Sequence, residues 1–276
     1  MKCKFCYATF ADIHEKRLSV EKDRALIMQL AEAQLFRKIN FAGGEPTLLP
    51  HLKELIYLAK SLGFENSIVT NGSKIDAAWI ADLAGVLDII SLSVDSADSQ
   101  TNIDSGRAIK GKTLANQHLQ NLADAAHQAG MYFKINTVVS RFNQQENLSP
   151  FINQLAPHRW KVLQVSNVEG QNDKEFSDLS ITADHFDFFC QSNSQHLHKA
   201  IKFVPESCEL IQGSYLMIDQ LGRFYDSAGG KHNYSKPILE VGVQAALQNI
   251  NTDFNKFLHR GGLYETKAGA QLLAQR

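Results

Sequence analysis

Two thiols, Cys3 and Cys6, stand at ligand spacing in the opening stretch MKCKFCYATF. Such a pair is half of a zinc site, a redox couple or two unrelated thiols, and spacing alone leaves all three open. No second CxxC and no suitably spaced histidine pair follows to complete four zinc ligands. Cys190 and Cys208 read as packed or free thiols. A second kind of chemistry is spread along the chain. In KIN, Lys38 and Asn40 flank Ile39; the tripeptide returns as Lys134, Ile135 and Asn136; RWK places Arg159 and Lys161 around Trp160; SLS places Ser91 and Ser93 around Leu92. On a strand, residues two apart share a face, so each of these stretches has one polar and one apolar side. Four strands with that layout imply a single polar interior rich in positive charge, the alternative being solvated faces of exposed strands.

These residues need elements to position them. Strands are expected over 37–43, 66–72, 87–95, 132–139 and 159–168, with a weaker one at 214–219. Between them lie helical stretches: one capped by Ser19, one ending at Gly63 and one ending at Gly130. Alternating strands and helices predict an α/β fold with a parallel sheet, doubly wound or rolled into a full or partial barrel. Beyond about residue 200 the alternation loosens into the turn-rich LGRFYDSAGGKHNYSKP.

The 276 residues carry 44% hydrophobic and 21% charged side chains, a globular composition. With 28 basic against 29 acidic residues the net charge is −1, which excludes wholesale attraction to nucleic acid or an anionic membrane. No apolar run is long enough to span a bilayer and no leader pattern is present, so a soluble, cytoplasmic protein is expected.

The glycine-rich strand end NFAGGEP changes the weight of the cysteine pair. Radical S-adenosylmethionine enzymes carry a CxxxCxxC loop after their first barrel strand and GGEP after the second. KINFAGGEP, SIVTNGS, LDIISLSVDS, FKINTVVSRFN, RWKVLQ with VEG, VPES, SYLMID and RGGLY follow in the order found in viperin and its prokaryotic relatives. From Cys3 to about Tyr264 the chain therefore resembles a viperin-family nucleotide dehydratase. The resemblance implies a partial (β/α)6 radical S-adenosylmethionine barrel over 1–205, lacking its first strand here. It also implies a C-terminal extension, 206–276, that packs on the barrel and closes the nucleotide pocket. The first cysteine of CxxxCxxC would fall two residues before Met1, and the recorded start is read as an internal methionine of a longer protein.

By the same resemblance, Cys3 and Cys6 are two of three thiolates on a [4Fe-4S] cluster that cleaves S-adenosylmethionine. Gly43, Gly44, Glu45 and Pro46 border its methionine moiety; Asn71, Ser73, Ser93 and Arg107 lie near its carboxylate and ribose. Lys38, Asn40, Lys134, Asn136, Arg159 and Lys161 are the substrate residues, and Tyr215 and Glu169 match family positions near the pocket as catalytic candidates. The implied reaction converts CTP, UTP or GTP to its 3'-deoxy-3',4'-didehydro analogue, a terminator of viral RNA synthesis. The partners implied are a nucleoside triphosphate and an electron donor such as a flavodoxin or ferredoxin. Two rivals stand beside this reading: a cluster-free nucleotide-binding or regulatory descendant, and another radical S-adenosylmethionine nucleotide enzyme. His158, a lone histidine, reads as a surface or satisfied residue.

Overall fold

A computed structural model describes residues 1–264. The expected extension 206–276 thus runs past its end, and residues 265–276 lie outside the described residues.

Six strands pair in parallel in strict chain order: β1 (Lys38–Phe41), β2 (Glu65–Thr70), β3 (Ile89–Ser93), β4 (Tyr132–Val139), β5 (Arg159–Gln164) and β6 (Lys202–Glu206). The order never reverses. In a doubly wound sheet it must, so successive right-handed crossovers here lay their helices on one face and leave the other face free. Helices Leu52–Ser61, Ala77–Asp82, Asn116–Gln128, Ser149–Leu155 and Ala183–Ser194 fill these crossovers. The sheet carries six strands within the described residues where five were expected. The addition is β6, whose Pro205 argues against a strand, yet β6 is an edge, where proline is tolerated.

The apolar half of the alternation builds the core. Ile68, Ile90, Leu92, Phe133, Ile135, Trp160 and Val162 meet Ile56, Leu122, Ala126, Ile152 and Phe189 from the helices, all nearly without exposure. Trp160 is fully buried and its indole N–H donates to Thr137 Oγ1 at 2.8 Å, so its one polar group is satisfied. Helix Val20–Glu32 begins where expected, with Ser19 accepting from the Lys22 N–H. Its Leu26, Ile27 and Leu30 pack in a second cluster with Phe224, Ile238 and Val243.

Phe224 brings to that cluster a small antiparallel sheet of β7 (Met217–Ile218), β8 (Arg223–Asp226) and β9 (Asn233–Pro237). Only β7 fell in an expected strand. The other two are short and joined across residues 227–232, so turn residues dominate the local pattern. Two helix ends occur as read, at Gly63 and Gly130, both with positive φ.

Candidate functional site

The polar residues of β1, β4 and β5 converge on the face opposite the helices. Lys134 is level with Arg159 and with Ser91, and Asn136 is level with Lys161 and with Ser93. Lys134, Arg159 and Lys161 are all buried. The Tyr264 ring lies among the cations, 3.7 Å from Lys38 Nζ, 4.5 Å from the Arg159 guanidinium and 5.4 Å from Lys134 Nζ. Lys134 donates to the Tyr264 hydroxyl at 3.0 Å. Arg159 donates to the Gly261 carbonyl and, at 3.4 Å, to that of Leu263. Gly261 is required there: its φ is 65°, and a Cβ would stand 2.7 Å from the Arg159 guanidinium.

One carboxylate faces this charge from β6. Glu206, with no exposed surface, accepts from Lys161 at 2.8 Å, from the Tyr215 hydroxyl at 2.6 Å and from Arg260 at 3.5 Å. Lys161 also donates to the Tyr215 oxygen, and the Arg260 guanidinium lies 3.7 Å from the Tyr215 ring. Lys38 has a separate partner, Glu65, at 3.6 Å.

Desolvation governs the protonation of the group. Burial, reinforced by Arg159, brings Lys134 down to about 7. Burial also lowers Lys161, to about 8, with Glu206 opposing the fall. Lys38 is lowered by burial too, partly offset by Tyr264 and Glu65. Burial would raise Glu206, but Lys161 and Arg260 outweigh it and hold the carboxyl below its usual range. The Tyr215 phenol is pushed well above its ordinary value by burial and by Glu206. Two acceptors on the same face, Asn136 Oδ1 and Ser91 Oγ, are buried without a hydrogen-bond partner. Cations short of counter-charge and orphaned polar atoms on one face are features that an anionic, hydrogen-bonding ligand would satisfy.

A second constellation lies at the carboxyl ends of the strands. Gly43 and Gly44 follow β1 with φ of 85° and 47°, and Gly44 has nothing within 4 Å of where a Cβ would sit. Backbone is thus exposed to open space. Glu45 braces this turn against β2: its carboxylate accepts from the Thr47 N–H (3.2 Å), the Thr70 hydroxyl (2.6 Å) and the Asn71 N–H (2.8 Å). Pro46 is buried and opens a 3₁₀ turn. Asn71 accepts from the Ser73 N–H at 2.8 Å. Asn71, Ser93 and Arg107 line one pocket, together with Met1 and Asp95. Arg107 pairs with buried Asp95, which more than restores the charge that burial opposes.

Cys3 and Cys6 sit on one turn, the Cys6 N–H donating to the Cys3 carbonyl at 3.1 Å. Burial pushes the Cys3 thiol up, with Arg107 opposing. Among the described residues no group of three or more His, Cys, Asp or Glu is placed to hold a metal ion. The pair supplies two thiol donors, short of the three that the resemblance implies for the cluster.

The expected residues thus fall into two groups, with exceptions. Asn40 is exposed on β1. Glu169 is exposed on the loop after β5, its N–H donating to Gly230, and Tyr215 meets Glu206 instead. His158 is satisfied, as read: it accepts from the Phe133 N–H at 3.0 Å and stacks on Tyr132. Sequence reading missed Glu206, Arg260, Tyr264 and Asp95. The first three sit in VPES and RGGLY: Glu206 ends β6, which was not among the expected strands, and Arg260 and Tyr264 lie outside any strand.

The radical SAM superfamily model matches residues 1–153. The chain is 46% identical over 270 residues to an S-adenosylmethionine-dependent nucleotide dehydratase of Lacinutrix mariniflava, covering 96% of this chain and 56% of the relative. It thus spans little more than half of that relative's length. A dehydratase of the same description from Flammeovirga pacifica is 38% identical, covering 97% of this chain and 92% of the relative. RSAD2 of Danio rerio, also so described, is 36% identical over 95% of this chain and 74% of its own length. Among solved structures, anSMEcpe with bound AdoMet matches at a TM-score of 0.64 and 15% identity, covering 98% of this chain and 78% of the other. Streptococcus suis SuiB bound to S-adenosylmethionine matches at 0.61 and 18% identity, over 81% and 56%. At such identities the likeness is one of fold.

Proposed function

Since the chain belongs to the radical SAM superfamily and, within it, to the viperin-like S-adenosylmethionine-dependent nucleotide dehydratases, we propose that it dehydrates a ribonucleoside triphosphate held in the cation-lined interior. One observation carries the reading: Lys38, Lys134, Arg159, Lys161 and Arg260 gather in one buried region where Glu65 and Glu206 are the facing carboxylates. That leaves an excess of positive charge in low dielectric, which a triphosphate would neutralise. Arginine grips phosphate oxygens in pairs and lysine acts as a compact charge. Asn136, with its orphaned oxygen, is suited to a ribose hydroxyl or a base N–H.

The pocket at the strand ends is the proposed S-adenosylmethionine site. Gly43 and Gly44 offer backbone, and Asn71, Ser93 and Arg107 offer polar side chains. Strand-end crevices are where parallel α/β folds of this kind bind their cofactors. Cys3 and Cys6 are proposed as two ligands of a [4Fe-4S] cluster, which when bound supplies the electron that cleaves S-adenosylmethionine. Tyr215, its phenol kept protonated by burial and Glu206, is the proposed proton-bearing group beside the nucleotide. The product is read as the 3'-deoxy-3',4'-didehydro analogue of CTP, UTP or GTP, made in antiviral defence with electrons from a flavodoxin or ferredoxin. The sheet is read as a partial β/α barrel over 1–205, and the segment from 206 as its closure over the nucleotide. No helix among the described residues is long and apolar enough to cross a membrane; the location is read as cytoplasmic.

Calorimetric titration with CTP, UTP, GTP and the matching uncharged nucleosides tests the reading. Lys134→Ala or Arg159→Ala should weaken triphosphate binding by about 1.5–3 kcal/mol, the worth of a hydrogen bond to a charged group. Equal affinity for triphosphate and nucleoside, or variants that bind like wild type, would overturn it.

A further inference from the structure

Glu206 joins three separate parts of the molecule. Lys161 comes from β5, Tyr215 from the segment before β7, and Arg260 from the end of helix Phe254–His259. Lys161 also donates to the Tyr215 oxygen, so carboxylate, ammonium and phenol form a closed ring of contacts. Arg260 lies over the Tyr215 ring and donates to the Ser214 carbonyl at 3.1 Å, which fixes the tail to the same turn. A fully buried carboxylate that binds three donors restricts all of them at once.

We propose that Glu206 is a positioning residue: it latches the C-terminal segment to the sheet through Arg260, aims the Tyr215 phenol, and keeps Lys161 charged for an anionic ligand. The last part rests on the triphosphate reading; the latch does not. The charged and titratable groups around the pair are Lys134, Arg159, Arg260, Tyr215, Tyr264 and Tyr7 of the N-terminal loop. Of these, Arg260 and Lys134 disfavour the Lys161 proton, so Glu206 is the main group that retains it. A neutral replacement therefore makes Lys161 lose its proton at lower pH.

Two measurements on the full chain test this. The first is hydrogen–deuterium exchange without ligand. Glu206→Gln should speed exchange of 254–264 at least ~10-fold while β3 and β4 stay protected, the pattern of local opening. Arg260→Gln breaks the same contact from the tail side with β6 intact and should give the same local pattern. The second is titration with inorganic tripolyphosphate between pH 6 and 9. Wild-type affinity should fall in two stages, first through the Lys134 value of about 7 and then through the Lys161 value of about 8. In Glu206→Gln the upper stage should move about one pH unit lower, and Glu206→Asp, which keeps the charge, should restore the wild-type profile. Unchanged exchange in 254–264, a uniform rise through the sheet, or an unshifted pH profile overturns the proposal. Failure of wild type to bind tripolyphosphate at every pH instead overturns the triphosphate reading, and exchange still decides the latch.

Discussion

The cation-lined interior and the glycine-bearing rim are built on opposite principles. Interior side chains leave charge uncompensated: Lys134 and Lys161 are depressed by burial, and Asn136 Oδ1 and Ser91 Oγ lack partners. At the rim, the Glu45 carboxylate is engaged by several donors, Arg107 has Asp95, and open space lies over backbone. A region with surplus buried positive charge and a region whose charges are paired should respond in opposite ways to loss of a charged side chain.

The largest effect is expected at the rim. Asp95→Ala removes the partner of largely buried Arg107 and the acceptor of the Val138 N–H, and should cost about 3–5 kcal/mol of stability in a denaturant titration. Tripolyphosphate affinity of the folded fraction should be unchanged. In the interior the sign reverses. Lys134→Met should leave the free protein as stable or more so, while triphosphate affinity drops by about 1.5–3 kcal/mol. A variant that loses both stability and binding would erase the contrast.

Acidity sharpens the comparison. Lys134 at about 7 and Lys161 at about 8 lie below the ordinary lysine value, so above those values the unfolded chain holds protons that the folded chain has released. Their contribution to stability therefore rises with pH from about 7 toward 10. Anion affinity should fall as pH rises through 7–8, because the same protons are lost. Opposite slopes in thermal melts and calorimetry are expected, and Lys134→Met should flatten both. The smallest effect is Gly44→Ala: φ is 47° with nothing nearby, so only the backbone penalty of about 1–2 kcal/mol applies.

Period-two alternation made the interior legible before any contact was known, because it places Lys38, Lys134, Arg159 and Lys161 on one face each and a parallel sheet merges those faces. Glycines in NFAGGEP announced the rim. Neither signal reaches the residues that complete the interior. Glu206 ends a strand broken in pattern by Pro205, and Arg260 and Tyr264 follow a short helix on a segment with no periodicity. Arg260 and Tyr264 meet partners 54 and 130 positions away in the chain, relations that only the folded chain supplies. Glu169 shows the converse: a matching position in VEG lies exposed, while the carboxylate beside Tyr215 comes from elsewhere.

The central claim is that this interior receives a triphosphate, and a crystal structure of the full chain with a bound nucleoside triphosphate tests it most directly. Phosphate oxygens are predicted within hydrogen-bond distance of Lys134, Arg159 and Lys161, with the Tyr264 ring moved from its place over Lys38 and Arg159. A triphosphate bound elsewhere, with Tyr264 still covering those cations, would contradict the account.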